Sequence, residues 1–131
     1  MANDKDHSFA FYANNPPFDE RQDFVAHVPT SIGDTKTLFD VLFEKLELPG
    51  YFGFNWNALS DCLGDLSWLK QFRVVVLHHD LPKLPKEDLS IYLDILRECM
   101  GSWKPGEDHQ LVVAFPEGVE TAVLNVLNDQ V

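Results

Sequence analysis

The chain has 131 residues, 45% of them hydrophobic, so it is long and apolar enough to form one domain with a buried core. Ten Lys and Arg residues against 21 Asp and Glu residues give a formal net charge of −11, which argues against direct nucleic-acid binding but permits a basic protein partner. No apolar run approaches the roughly 20 residues of a membrane span, and no signal-peptide pattern begins the chain, so we expect a cytoplasmic protein outside the membrane.

The first 22 residues are polar and irregular, and the run Asn14–Pro17 is a strong loop signal. Three aromatic residues before that loop are expected either to form a short edge strand or to pack as a strap over the core: Phe9, Phe11 and Tyr12. We therefore divide the chain into an N-terminal extension, residues 1–22, and a domain, residues 23–131.

A strand followed by an amphipathic helix is predicted next. Phe24 to Val28 has the composition of a strand and is closed by Pro29. Asp34 is the expected N-cap of the helix, and the chain breaks again at Pro49. Helical spacing predicts a buried stripe formed by Leu38, Phe39, Leu42, Phe43 and Leu46.

The stretch Leu48–Leu66 predicts an aromatic loop and then a short helix with two unlike faces, with Asn55 as its N-cap. The expected apolar face comprises Trp56, Leu59, Cys62, Leu63 and Leu66. Asn57, Asp61 and Asp65, at i, i+4 and i+8, form a row on the opposite face, where Ser60 also falls. Gly64 could end the helix as its C′ residue. Asp65 would then lie beyond the helix, and the row would be shorter.

The remainder alternates between strands and helices. The apolar, β-branched run from Phe72 to Leu77 is typical of a strand covered on both faces. A helix from Glu87 to about Met100, a strand from Leu111 to Phe115 and a closing helix from Val119 to Leu127 follow. This order predicts an α/β fold with a small three-stranded parallel sheet and helices packed around it.

The motifs of common α/β enzymes are absent from the sequence: it contains no G-x-G-x-x-G, no P-loop, no G-x-S-x-G and no H-E-x-x-H. Cys62 and Cys99 lie on the apolar sides of predicted helices, without a Cys or His at metal-ligand spacing, so we interpret both as buried small hydrophobes. We therefore expect no cofactor, no metal and no enzymatic activity.

An enzymatic alternative remains open. His78, His79 and Asp80 follow a parallel strand, where open α/β sheets place ligand sites. Adjacent strand residues point to opposite faces, so the two histidines should not converge on one ion, and solvated turn residues are the simpler interpretation. The alternative is a small hydrolytic enzyme that uses His78, Asp80 and Asp61, or an acid–base pair of Asp61 and Asp65.

The segment LPGYFGFNWNALSDCLGDL resembles the signature of the barstar family of ribonuclease inhibitors. The matching elements are Leu48-Pro49, Tyr51-Phe52-Gly53, Asn55, Ala58-Leu59 and Asp61-Cys62-Leu63. The likeness is weaker outside this segment, but it keeps the order of strands and helices over about residues 23–115.

The resemblance implies a cytosolic inhibitor that binds a basic ribonuclease, or a related nuclease toxin, and occludes its active site. By position, Asp61 would stand in for a substrate phosphate, Tyr51 would be an aromatic contact and Glu98 a further acidic contact. The complete set of expected partner-binding residues is Tyr51, Phe52, Asn57, Ser60, Asp61, Asp65 and Glu98.

Three departures from the family pattern bear on that implied function. The family commonly has Asp where this chain has Asn57, and often Trp where it has Ser60. A Gly-Trp pair after the helix is replaced by Asp65-Leu66. These changes would weaken binding to the usual enzyme or mark a different target, and Asp65 could restore the missing charge. A further alternative is an interaction module on the same fold without inhibitory activity.

Overall fold

The computed structural model describes residues 9–16 and 18–128. Within these residues four parallel strands form one sheet in the order β1-β4-β3-β2. The strands are β1 (Ala10–Tyr12), β2 (Phe24–Val28), β3 (Arg73–His78) and β4 (Gln110–Pro116). The helices are α1 (Thr35–Lys45), α2 (Trp56–Asp65), α3 (Lys86–Ser102) and α4 (Glu120–Asn128), with a 3₁₀ turn at Glu117–Val119.

The expectation of three strands is wrong, because β1 adds a fourth along the free edge of β4. The ring of Phe9 meets that of Phe115 edge-on at 5.3 Å, and the ring of Phe11 stacks on it at 6.3 Å. Pairing with β1 satisfies backbone groups of β4 that would otherwise be unpaired. The edge-strand interpretation of this segment is therefore confirmed, while the division of the chain at residue 22 stays a prediction.

The two faces of the sheet are covered differently. The main core contains the buried residues of all four helices together with Ala26, Val28, Val74, Val76 and Phe115. On the opposite face Val75, Leu77 and Ala114 form a smaller cluster, against which Tyr12 and Phe18 pack. Within the described residues the helices thus lie on one face, and the N-terminal segment covers part of the other.

The local signals in α1 are confirmed. The Asp34 carboxylate accepts a hydrogen bond of 2.7 Å from the backbone N–H of Thr37, which caps the helix. Leu38, Phe39 and Leu42 are buried as the stripe predicts. Among the described residues no helix is both long and apolar enough to cross a membrane.

His78 is the last residue of β3 and is fully buried, so its interpretation as a solvated turn residue is wrong. Its ring stacks on Phe115 with centroids 4.0 Å apart. Its Nδ1–H donates to the Ala114 carbonyl at 3.0 Å, and its Nε2 accepts from the Tyr92 hydroxyl at 2.7 Å. Both ring nitrogens are satisfied only in the neutral form, and burial lowers the pKa of His78 to about 3.

The buried neutral imidazole predicts that stability falls as the pH is lowered. An unfolded histidine has a pKa near 6.5 and binds a proton that folded His78 excludes, so this contribution is complete above pH 6.5 and is lost towards pH 3. We expect about 2 kcal/mol to be lost from this residue between pH 6.5 and pH 5, measured by urea unfolding.

The matched variant is the double substitution His78→Leu with Tyr92→Phe, which removes the titrating ring and its hydroxyl partner together. Its stability should vary less with pH over that interval than the stability of the wild-type chain. An equal slope in the two proteins would contradict the assignment.

Candidate functional site

The start of α2 is stabilised by the side chain of its N-cap residue, Asn55. The Asn55 Oδ1 accepts a hydrogen bond of 2.8 Å from the backbone N–H of Ala58, as an N-cap should. The Asn55 Nδ2 donates to the Gly53 carbonyl at 3.2 Å, and a Cβ at Gly53 would lie 3.0 Å from that nitrogen. Phe54 adopts a φ of 55°, which turns the chain into the cap. The loop and the helix therefore form one connected unit.

The aromatic rings of the loop differ in how deeply they are buried. Phe52 is only 3% exposed and packs against Phe39, Phe43 and Phe54, so it belongs to the core and not to the expected contact surface. Phe54, which was not among the expected contacts, is 43% exposed. Tyr51 is 74% exposed, as an aromatic contact residue requires.

The apolar face of α2 docks on the core as the periodicity predicts. Leu59, Cys62 and Leu63 are buried. The Trp56 ring lies between two other helices, with its centroid 4.7 Å from that of Phe39 in α1 and 6.0 Å from that of Tyr92 in α3. These contacts fix which side of α2 faces outward.

The end of α2 is also anchored. The helix continues through Gly64 to Asp65, so the suggestion that Gly64 stops it is wrong. Leu66 caps it with a φ of 51°, and its backbone N–H donates to the Cys62 carbonyl at 3.0 Å. The indole N–H of Trp103, after α3, donates to the Leu63 carbonyl at 2.9 Å. The full predicted row of polar residues therefore lies on the helix.

Asn57, Asp61 and Asp65 are all exposed. Asp65 accepts a hydrogen bond of 3.1 Å from the Ser67 hydroxyl. Within the part of the chain that the structure describes, no hydrogen bond or ion pair involves the Asp61 side chain. The Asp61 carboxylate thus points into solvent from a helix held at both ends, with its acceptor sites free.

The contact between α2 and α3 brings further expected residues to this surface. Ser60 is half-buried there, and the Cys99 thiol of α3 donates to its carbonyl at 3.6 Å. Burial raises the pKa of the Cys99 thiol, and the Glu98 and Asp61 carboxylates raise it further. Glu98 is exposed, so it and Asp61 border the same thiol from neighbouring helices.

The carboxylates of Asp61 and Asp65 also affect titratable groups near them, including one in the loop. Partial desolvation raises the pKa of Tyr51, and the Asp65 carboxylate adds to the effect. Burial raises the pKa of Cys62, with contributions from Asp65 and Asp61. Both cysteines are free and buried, as predicted. Negative potential therefore extends from the row towards Tyr51.

The groups required by the enzymatic alternative do not share an accessible site. His78 is buried with both nitrogens bonded, and the Asp80 carboxylate accepts a hydrogen bond of 2.8 Å from the backbone N–H of Leu81. Asp61 is exposed on α2. Among the described residues no group of three or more His, Cys, Asp or Glu is placed to hold a metal ion.

An acidic helix fixed on an α/β scaffold, beside exposed aromatic rings, has the features of a protein that binds another protein. A comparison with protein-family models matches residues 24–115 to the family described as Barstar (barnase inhibitor). The match covers more than two-thirds of the chain, and the chain belongs to this family. Members of the family are ribonuclease inhibitors rather than enzymes. A search of the curated proteins found no match.

The burial of neighbouring loop rings predicts opposite effects of two substitutions. Phe52→Ala should lower the free energy of unfolding by about 3–5 kcal/mol, because it leaves a cavity among packed rings. Tyr51→Ala should leave the midpoint of urea unfolding unchanged, because that ring is mostly in solvent. A similar loss of stability in both variants would contradict this loop arrangement.

The cap of α2 predicts a smaller effect at Asn55. Asn55→Ala removes the acceptor for the Ala58 N–H and should cost about 1 kcal/mol in urea unfolding. Asn55→Ser keeps a capping oxygen and, like the alanine variant, lacks the amide donor to Gly53, so it serves as the matched control. Equal stability of the alanine and serine variants would show that the cap does not hold the helix.

Proposed function

We propose that this protein binds a basic ribonuclease, or a related nuclease toxin, and occludes its active site with α2 and the loop of residues 48–55. The observation that carries the proposal is the Asp61 carboxylate on a helix anchored at both ends. This carboxylate is exposed and forms no hydrogen bond or ion pair with the residues that the structure describes. Membership of a family of barnase inhibitors supports the choice of a ribonuclease as the target.

The chemistry of Asp61 suits the cleft of such an enzyme. A ribonuclease holds cationic and hydrogen-bonding groups where the substrate phosphate binds, and a carboxylate placed there accepts charge-assisted hydrogen bonds from them. Because caps at both ends and the Trp56 contacts hold α2 in place, little conformational entropy is lost when the helix docks. Asp61 would therefore bind in the position of a phosphate without being a substrate.

The surroundings of Asp61 supply the rest of an interface. Tyr51 and Phe54 offer exposed aromatic area on the loop, of the kind that forms anchors in protein interfaces. Asp65 and Glu98 add carboxylates around the central one. A net charge of −11 would speed the encounter with a basic enzyme. A helix and its loop can supply much of the roughly 800 Å² that each partner buries in a standard interface.

The departures from the family pattern indicate selectivity for a particular enzyme. Asn57 is exposed at the first position of the row but carries no charge, whereas Asp65 places a charge two turns later. Ser60 is half-buried at the contact with α3 and cannot provide a large aromatic anchor. We therefore expect the target to have one cationic group opposite Asp61 and a second one opposite Asp65, rather than opposite Asn57.

The resemblance to the barstar family implies that inhibitor and target meet inside the producing cell, so we also propose a cytoplasmic location. Catalysis by His78, Asp80 and Asp61 is not favoured, because His78 is buried and fully bonded. An interaction module without inhibition would bind a nuclease and leave its turnover unchanged, which an RNA-hydrolysis assay distinguishes.

The proposal predicts a large effect of one substitution on inhibition. Asp61→Ala should weaken binding to a small basic ribonuclease of the barnase type by about 30-fold or more, which corresponds to the roughly 2 kcal/mol threshold of an interface hot spot. The measurement is the inhibition constant for RNA hydrolysis, with urea unfolding of each variant to show that the fold is intact.

Glu120→Ala is the matched control, since it removes an exposed carboxylate from α4 and changes the net charge by the same amount. It should leave the inhibition constant within about threefold of wild type. Equal effects of the two substitutions would reduce the role of Asp61 to general charge and would contradict the proposal.

A further inference from the structure

α2 and α3 lie side by side and run in the same direction. At the start of α2, the ring of Trp56 lies 6.0 Å from that of Tyr92 in α3. One turn further along α2, the Cys99 thiol of α3 donates to the Ser60 carbonyl at 3.6 Å. Because the residue number rises in both helices from the first contact to the second, the helices are parallel. Their outward faces therefore form one surface, of which the proposed function uses mainly the α2 side.

The outward face of α3 follows from helical spacing and exposure. Positions i, i+4, i+7 and i+11 share one face of a helix, and here they are Glu87, Ile91, Asp94 and Glu98. Asp94 is half-buried and paired with Arg97 at 2.7 Å. Glu87 lies in the first turn, where a carboxylate stabilises the N-terminus of the helix. Ile91 is 41% exposed, so this face carries an apolar side chain in solvent.

Ile91 lies beside the first turn of α2. It directly precedes Tyr92, whose ring contacts Trp56, the first residue of that helix. The next residue of α2, Asn57, is exposed and uncharged. A cation that bound against an isoleucine and an amide would lose its water without gaining an ion pair. This end of the surface is therefore suited to an apolar contact.

The other end of the surface is acidic. Its carboxylates include Glu98, which directly precedes Cys99, and Asp61, which directly follows Ser60. Because the Cys99 thiol donates to the Ser60 carbonyl, these two exposed carboxylates lie at the same level of the parallel helices. Asp65 lies one turn further along α2 and is also exposed. Carboxylates grouped in this way attract a basic partner and orient its approach.

We propose that Ile91 is a specificity-determining residue of the interface: a basic ribonuclease places an apolar side chain against Ile91 while its cationic groups bind Asp61 and Glu98. This inference rests on the proposed function and adds to it the chemistry of the target surface that faces α3. The carboxylates favour a basic enzyme, and the isoleucine favours one with an apolar residue beside its phosphate-binding groups. An enzyme with a cation opposite Ile91 would bind more weakly, because that cation would be desolvated without a partner.

The test is the inhibition constant for RNA hydrolysis by a small basic ribonuclease of the barnase type. Ile91→Ser should weaken inhibition by about tenfold, because the apolar contact is lost. Ile91→Glu should weaken it at least as much, because it places a carboxylate against an apolar side chain. Leu124→Ser is the matched control, since Leu124 is 43% exposed but lies on α4, outside the proposed interface. It should leave the inhibition constant within about threefold of wild type.

A nuclear magnetic resonance readout locates the contact without relying on a variant. The chain has three isoleucines, Ile32, Ile91 and Ile95, and Ile32 is buried in the core. When the same ribonuclease is added, the δ1-methyl signal of Ile91 should shift and show nuclear Overhauser effects to an apolar side chain of the enzyme. The signal of Ile32 should stay in place. The Ile91 signal is assigned by its loss in Ile91→Ser.

The outcomes separate this inference from the proposed function. Loss of inhibition in Asp61→Ala with unchanged inhibition in Ile91→Ser would overturn the role of Ile91 and leave the proposed function standing. Tighter inhibition by Ile91→Glu would place a cation opposite Ile91, and an equal loss in Leu124→Ser would remove the specificity of the effect, so either result would overturn the inference. A wild-type chain that does not inhibit the ribonuclease would contradict the proposed function and this inference together.

Discussion

Contacts with α3 and the sheet fix the orientation of α2. Trp56 contacts Tyr92, the Tyr92 hydroxyl donates to the buried His78, and the His78 ring stacks on Phe115 of the neighbouring strand. This chain of contacts runs from the helix through α3 into the sheet. The two polar groups in it, which would be costly if unpaired, satisfy each other in the interior. The orientation of α2 is thereby set by contacts with the buried core.

In the described part of the chain, the central carboxylate on the outward face of α2 is unpaired, unlike two carboxylates on α1 and α3. Asp40 pairs with Lys36 at 3.0 Å, and Asp94 pairs with Arg97 at 2.7 Å, as exposed carboxylates on helices often do. Asp61 has no such neighbour among the described residues. A helix that leaves its central carboxylate unpaired keeps its full hydrogen-bonding capacity for a partner, which is the requirement of a phosphate mimic.

Features that depend on short-range patterns were predictable from the sequence. The faces of α2 and its N-cap at Asn55 follow from helical spacing and from the chemistry of one side chain, and both are confirmed. Phe52 and Phe54 lie in a loop, which has no helical or strand periodicity. The sequence around them therefore does not show which of the two rings is buried. The placement of His78 depends on Tyr92 and Ala114, which approach it only in the folded chain.

The same limit explains the wrong number of strands and the unpredicted contact between two histidines. The sequence offered an edge strand around Phe11 as one of two alternatives, but its pairing with β4, about 100 residues further along the chain, depends on the topology. His27 and His79 are 52 residues apart and meet only because β2 and β3 are neighbours in a parallel sheet. Sequence periodicity predicts where helices and strands lie and which of their faces are buried. Contacts between elements that are far apart in the chain can be predicted only when the strand order of the sheet is known.

The most direct test of the central claim is a crystal structure of the chain bound to a ribonuclease that it inhibits. We predict that α2 lies in the active-site cleft, with the Asp61 carboxylate within hydrogen-bonding distance of the groups that bind the substrate phosphate. A complex in which α2 faces solvent, or in which Asp61 contacts no cationic group of the enzyme, would contradict it.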